Sequence, residues 1–349
     1  MINLIKVKVT INGNFSDGNI FNFTNTKDNI YNNKKFYINS YIDSPDFWFI
    51  NENIKNEKFE EVNIDKKNVF FLGSETIYES DYFFSQSKIN FLNQFDTIYS
   101  PKNIYNDKAK NVPPFMPWSL RGYPWVSNHG ESDLEYFRSL EPRKTKLISV
   151  YCSNKKITEY QKLRIEFLHK LKEYFDKEID FYGTAFNNET ETKLDGLLDY
   201  KYHIAIENNN YKNIISEKLY DPFLALSFPI YSGANNLNEY FNSNSFEYID
   251  LNDFNGSLSK IESLLKNDIY ESKIKYLKIS RNVILEEFNL IKRIDDIVNS
   301  KIEDNYENKS STKIFNKKVY ENKSFFGKLA FKINKKLEII SKFLKTYYT

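Results

Sequence analysis

The sequence predicts an α/β protein of two domains, and three observations carry that prediction. After residue 143 apolar runs alternate with helical patterns, before it short strand-like runs dominate, and a proline-rich passage separates the two rhythms. Apolar runs that alternate with amphipathic stretches mark a mostly parallel sheet covered by helices. A chain of 349 residues has room for about two domains of ordinary size. The expected units are residues 1–143, residues 144–305, and a linker with a basic tail over 306–349.

In the first unit IKVKVTI, KFYINS, DFWFI, NVFFLG and QFDTIYS read as strands, rich in β-branched and aromatic residues and bounded by Asn, Asp, Gly and Pro. VPPFMPWSLRGYPW follows, with Pro113, Pro114, Pro117 and Pro124, which neither a helix nor a central strand tolerates. In the second unit KLISVYCS reads as a strand. TEYQKLRIEFLHKLKEYF reads as a helix, with Leu163, Phe167, Leu168, Leu171 and Phe175 at helical spacing. IDFYG and YKYHIAIEN are strands, EKLYDPFLAL a helix, and FPIYSG and SFEYIDL strands. Helical stretches over roughly 257–267 and 270–300 close the unit.

Composition narrows the function. With 41% hydrophobic residues, 30 Phe and 26 Tyr, the chain can fill two cores. Lys plus Arg at 49 against Asp plus Glu at 47 leaves +2, which gives no reason to expect a nucleic-acid partner. One cysteine, Cys152, excludes an internal disulfide, and MINLIKVKVTING lacks the apolar core of a secretory signal, so cytoplasmic residence is expected. With three histidines, one cysteine and no Asp-x-Asp pair, no metal site is expected.

The stretch IENNNYKNIISEKLYD, residues 206–221, crowds polar side chains where a strand hands over to a helix. In open α/β sheets the ligand crevice lies outside the carboxyl ends of the strands, where helix N-termini attract anions. Lys218 in the first helical turn opposes the helix dipole unless an anion sits there. Glu217 can accept from vicinal hydroxyls, and Asn208 can donate and accept. Phosphates, a ribose and a hexose would fit such a set. The plainer reading is that Asn213 or Ser216 caps the helix and Lys218 is a solvated charge.

ENNNYKNIISEKLYDPFLALSFPIYSG resembles the donor-binding signature of the α-1,3/4-fucosyltransferases, glycosyltransferase family 10, bacterial type. The resemblance is good over residues 147–254 and weak before them. It implies a GT-B architecture of two Rossmann-like domains facing a cleft. It also implies an inverting transfer of fucose from GDP-fucose to an acceptor glycan, such as N-acetylglucosamine or glucose in a surface polysaccharide or lipopolysaccharide. Carried over residue by residue, Glu217 matches the ribose carboxylate and Lys218 the diphosphate lysine. Glu207 and Asn208 match the Glu-Asn pair at the strand end, and Arg164 a helix arginine that supplies a second phosphate partner after the Ser153–Asn154 turn. Arg164 and Lys218 together would neutralise the leaving GDP, so no cofactor is required and a divalent ion would be stimulatory at most. Taken alone, Arg164 also reads as a surface arginine. Ile214 and Ser232 stand where relatives commonly carry Tyr and Trp, and both are expected to touch the donor pocket.

Inversion needs a base. Glu75, after the strand VFFLG, is the candidate, with Ser74 at that position in an alternative register and Glu79 and Glu131 in reserve. His203 reads as a sheet-face histidine and His169 as a helix residue, while His129 is a candidate for acceptor contact. Trp118 and Trp125 either stack on sugars or fill the hinge.

From Lys323 onward seven lysines face one glutamate, and Phe326, Leu329, Ala330, Ile333, Leu337, Ile340 and Leu344 form one stripe. A basic amphipathic helix over 323–349 is expected to bind an anionic membrane surface at the inner face of the cell membrane, where lipid-linked glycan acceptors would lie. Otherwise it docks on its own chain or on a twin in a homodimer. A non-catalytic nucleotide-sugar or glycan-binding protein, or a transferase using another nucleotide sugar, is the alternative function.

Overall fold

The computed structural model describes residues 4–11, 18–74, 86–101, 107–124, 129–302 and 308–321. The first half forms β1 (Ile5–Ile11), α1 (Phe21–Thr24), β2 (Ile30–Tyr31), β3 (Lys34–Ile38), β4 (Phe47–Asn51), β5 (Phe59–Ile64), β6 (Val69–Leu72), α2 (Gln86–Leu92), β7 (Thr97–Ser100), β8 (Ala109–Asn111) and α3 (Asp133–Ser139). The second half runs β9 (Lys146–Tyr151), α4 (Glu159–Phe175), β10 (Asp180–Tyr182), β11 (Tyr200–Ile206), α5 (Glu217–Leu224), β12 (Phe228–Ser232), β13 (Glu247–Tyr248), α6 (Phe254–Asn267), α7 (Tyr270–Glu286) and α8 (Leu290–Asn299). β14 (Ser310–Phe315) and α9 (Lys317–Glu321) follow.

Two sheets result. The first has the order β2-β3-β1-β4-β6-β7-β8 and is parallel except for the β2–β3 pair. The second has the order β10-β9-β11-β12-β13 and is parallel throughout. Their central strands are apolar on both sides, as covered parallel strands must be. All four residues of Val69–Leu72 are buried, and so are Phe47 to Ile50. One core runs without a break from the first sheet into the second, through Phe47, Phe70, Trp118, Phe137, Ile204 and Leu219. A smaller one, with Trp48, Phe71, Phe91 and Ile314, covers the other face of the first sheet.

The single helix expected over 270–300 is two. Asn289 starts α8: its Oδ1 accepts from the amides of Ile291 (3.1 Å) and Lys292 (3.3 Å), while Nδ2 donates to the carbonyl of Phe23 (2.8 Å). A capping side chain that also reaches the first domain fixes where the helix breaks. α8 then fastens the halves together. Lys34, 1% exposed, pairs with Asp295 at 2.8 Å, and Arg293 donates to the carbonyls of Pro113 (2.7 Å) and Pro114 (2.6 Å) with its guanidinium 3.6 Å from the Phe115 ring centre. Residues 310–321, placed in the linker and tail by the sequence, return to the first domain. β14 pairs antiparallel with β5, Ser310 opposite Ile64 and Phe315 opposite Phe59, and Ile314 enters the smaller core. The basic stripe over 323–349 lies outside the described residues.

His203 sits in β11 with its Nδ1 2.8 Å from the Ser149 hydroxyl, 4% exposed. Burial, aided by Lys193 and Lys144, lowers its pKa from the ordinary 6.5 to about 3. Below pH 6.5 the unfolded chain therefore takes up a proton that the folded chain refuses, so stability falls as pH falls through this window. The expected loss traceable to His203 is about 2 kcal/mol between pH 8 and pH 5. Urea unfolding of wild type and His203→Gln at the two pH values checks it, and equal pH slopes would contradict it.

Candidate functional site

Between the halves lies a cavity of about 580 Å³, within the range of small-ligand sites. The first domain contributes Asn51, Ser74, Phe115, Met116 and Tyr123. The second contributes the carboxyl-end loops of β9 and β10 (Ser153, Lys155, Gly183 and Thr184), Arg164 from α4, and Asn208, Glu217 and Lys218 from the β11–α5 connection. This is the edge where an open parallel sheet binds ligands. Gly183 lets two loops meet there: its φ is +96°, and a Cβ would lie 2.4 Å from the carbonyl oxygen of Cys152.

Arg164 and Lys218 both face this cavity. Arg164 is 2% exposed on the inner side of α4 and is no surface arginine. Its Nη1 donates to Asn208 Oδ1 (3.0 Å) and its Nη2 to the Ser153 carbonyl (3.3 Å), which aims the fork, while the buried Nε has no hydrogen-bond partner. The Thr158–Gln161 capping box fixes the start of α4, and Gln161 Nε2 supports Asn208 Oδ1 from the other side at 3.2 Å. Lys218 stands in the first turn of α5, its Nζ 2.8 Å from Glu217 Oε1. Burial would raise the Glu217 carboxyl, but Lys218 and Lys193 outweigh it and hold it at about 2. Among the described lining residues, Lys155, Arg164, Lys193 and Lys218 oppose the one carboxylate of Glu217. Such a wall takes a ligand with more than one negative charge.

Two predicted donor residues lie elsewhere. Glu207 is fully buried, its carboxylate accepting from the Ser216 amide (2.8 Å) and hydroxyl (2.6 Å), and burial pushes its pKa up. Just beyond the end of β11 the chain turns Asn208 into the cavity and Glu207 into the core, where it anchors the Ser216 cap of α5. Asn154 is exposed and off the cavity wall, its amide donating to Thr184 Oγ1 at 2.9 Å. Ile214 and Ser232 do not line the cavity either: Ile214 is fully buried, and Ser232 bonds the Tyr160 hydroxyl at 2.7 Å.

On the first-domain side, Ser74 reaches the cavity, held by Glu52 Oε1 on its amide (2.7 Å) and by Asn51 Oδ1 on its hydroxyl (3.2 Å). Glu75, Glu79 and Trp125 lie outside the described residues. Glu131 is exposed and off the cavity wall. His129 contacts the Arg121 carbonyl at 2.9 Å and also does not line the cavity. Trp118 fills the hinge, 1% exposed, its indole N–H on Asp133 Oδ2 (3.2 Å). Among the described residues no group of His, Cys, Asp and Glu is placed to hold a metal ion.

Sequence reasoning missed Lys193, Lys155, Thr184 and Tyr123. Lys193 and Lys155 sit in charged loops without periodicity, and only the fold brings them to the cavity.

Residues 141–281 match the family model described as glycosyltransferase family 10 (fucosyltransferase) C-term. The 4-galactosyl-N-acetylglucosaminide 3-alpha-L-fucosyltransferase 9 of Mus musculus is 31% identical over 146 residues, 39% of this chain and 38% of that protein. Glycoprotein 3-alpha-L-fucosyltransferase A of Drosophila melanogaster is 27% identical over 183 residues, 49% of this chain and 34% of that protein. The chain thus spans less than two fifths of the length of these curated relatives. A crystal structure of an alpha1,3-fucosyltransferase shares the fold, with a TM-score of 0.50 and 17% identity over 86% of this chain and 90% of that one. The part of the chain that holds Arg164, Asn208, Glu217 and Lys218 is thus the part that matches the C-terminal domain of glycosyltransferase family 10.

Proposed function

We propose that the protein is an inverting fucosyltransferase that moves fucose from GDP-fucose to a hydroxyl of an acceptor glycan. The observation that carries this reading is the convergence of Arg164 and Lys218 on one interdomain cavity beside Glu217. Lys218 and the Arg164 fork bind the diphosphate, Glu217 accepts from the ribose hydroxyls, and Asn208 and Ser153 hold Arg164 in place. The acceptor oxygen attacks the sugar C1 from the first-domain side while the bond from C1 to the β-phosphate oxygen breaks. The acceptor proton passes to a carboxylate, for which Glu75 is the candidate, and such a base is worth about 10²- to 10⁴-fold. Charge growing on GDP falls on two fixed cations, so transfer is expected to persist under chelation. The acceptor is proposed to be a surface glycan, lipid-linked at the inner membrane face and approached through the basic segment 323–349.

Thermal shift against a panel of nucleotide sugars, followed by GDP release from GDP-fucose with and without glycan acceptors, tests the reading. Stabilisation by GDP-fucose and acceptor-dependent release are expected. Stabilisation by GDP-fucose without release under any acceptor would favour the binding-protein alternative, and stabilisation by another nucleotide sugar alone would reassign the donor.

A further inference from the structure

Lys193 opens the short 3₁₀ turn Lys193–Gly196 between β10 and β11 and makes contacts that the proposed donor chemistry does not yet use. Its Nζ donates to Asp221 Oδ2 (2.8 Å) and to Ser119 Oγ (2.9 Å), and lies 3.9 Å from Glu217 Oε1. Asp221 is 1% exposed and also accepts from the Ser119 amide (2.9 Å) and hydroxyl (3.0 Å). Glu217 and Asp221 are four residues apart on α5, on one face of the helix, where two carboxylates repel unless a cation stands between them. One ammonium therefore serves both α5 carboxylates and a segment of the first domain. Lys193 and Glu217 also line both the main cavity and a second one of about 350 Å³, together with Tyr123, Tyr151 and Gly183.

Both cations beside Glu217 lie on its Oε1. When Lys218 turns to a diphosphate it can no longer neutralise Glu217 at full strength, and Lys193 is the cation left to do so. Among the described residues the other charged or titratable groups around this pair include Glu207, Tyr220, Asp221, Tyr123 and His203; burial holds His203 neutral, so none of these supplies a positive charge.

We propose that Lys193 is the positioning residue of the donor site: it keeps the Glu217 carboxylate charged and oriented toward the ribose while Lys218 holds the diphosphate, and it ties that arrangement to the Ser119 segment of the first domain. The inference rests on the reading of Glu217 as the ribose partner. Burial of Lys193 works against its charge, but Asp221 and Glu217 outweigh it and raise its pKa above the ordinary value. The ammonium is thus charged throughout the working pH range.

Calorimetric titration with GDP from about pH 5.5 to 8.5 tests this on wild type, Lys193→Met, Lys193→Arg, Glu217→Gln and the Lys193→Met/Glu217→Gln double variant. Lys193→Met is expected to raise Kd about tenfold near neutrality. The ratio of variant to wild-type Kd should grow toward acid as Glu217 becomes easier to protonate, and the ratio cancels the titration of GDP itself. Arginine should restore most of the affinity, and in the Glu217→Gln background Lys193→Met should add less than about twofold. Unchanged affinity, or a loss equal at every pH and undiminished in the Glu217→Gln background, would overturn the proposal. If Lys193→Met fails to fold because Asp221 is left unpaired, Lys193→Met/Asp221→Asn compared with Asp221→Asn gives the same reading without a stranded charge. GDP binding that depends on Lys218 but not on Lys193 defeats this inference alone. Absence of GDP binding by wild type defeats the functional reading beneath it.

Discussion

Lys218→Ala is expected to lower kcat/KM for GDP-fucose by roughly 10²- to 10³-fold, the usual effect of deleting one preorganised group that stabilises transition-state charge. The physical reason is local. Lys218 Nζ lies 2.8 Å from Glu217 Oε1 at the cavity wall, so its loss would remove the proposed phosphate partner and leave Glu217 with Lys193 at 3.9 Å. Both of the proposed donor contacts, to the diphosphate and to the ribose, would weaken. Arg164→Lys gives a graded comparison: it keeps the charge but not the fork that Asn208 and the Ser153 carbonyl orient, and a single ammonium cannot replace that geometry. A fall smaller than that of Lys218→Ala but well above experimental error is expected. Steady-state kinetics with GDP-fucose, together with GDP affinity, measures both variants. Turnover equal to wild type in both would remove the two residues from the reaction.

Glu207→Ala is expected to act on stability rather than on the donor, with a loss of about 2–4 kcal/mol. The carboxylate is fully buried and takes both the amide and the hydroxyl of Ser216. Alanine strands those two donors, leaves a cavity, and loosens the residue that caps α5 by accepting from the Lys218 amide at 3.3 Å. Glutamine should cost less, because its carbonyl still accepts and its amide can donate to the Ser216 oxygen. Chemical denaturation measures the loss, and GDP affinity below the unfolding transition should change by no more than a few-fold. A stability equal to wild type with abolished GDP binding would return Glu207 to the donor site.

These two residues show how far the sequence could be read. The Glu-Asn pair stands out by its resemblance to a donor signature, but resemblance does not say which of two adjacent side chains faces a ligand. The fold does: just beyond the end of β11, Asn208 turns toward Arg164 while Glu207 turns inward. The place of Arg164 was not legible from the helix alone: the apolar stripe marked one side of α4, but only the structure puts Arg164 on the buried side with Gln161, Ile165 and Leu168. The second sheet was legible because its strands are apolar runs separated by amphipathic helices.

The return strand β14 was not legible. Only Thr312 and Ile314 of SSTKIF are buried, and its partner β5 carries Glu60 and Glu61 on a surface strand, so neither presents a run that distinguishes strand from linker. The break between α7 and α8 was hidden for another reason: Asn289 ends the run by a contact with Phe23, 266 residues away in sequence. Lys193 belongs to the same class. Nothing in ETETKLDG sets one lysine apart until the fold places Asp221 and Ser119 around it.

In the proposed reaction two cations at the carboxyl edge of the second sheet hold a departing nucleoside diphosphate. A crystal structure of the protein with GDP tests it most directly. Phosphate oxygens within hydrogen-bond distance of both the Lys218 amine and the Arg164 guanidinium, with a ribose hydroxyl on Glu217, are the predicted result. GDP seated elsewhere, with Lys218 still on Glu217 and Arg164 still turned only to Asn208 and Ser153, would contradict it.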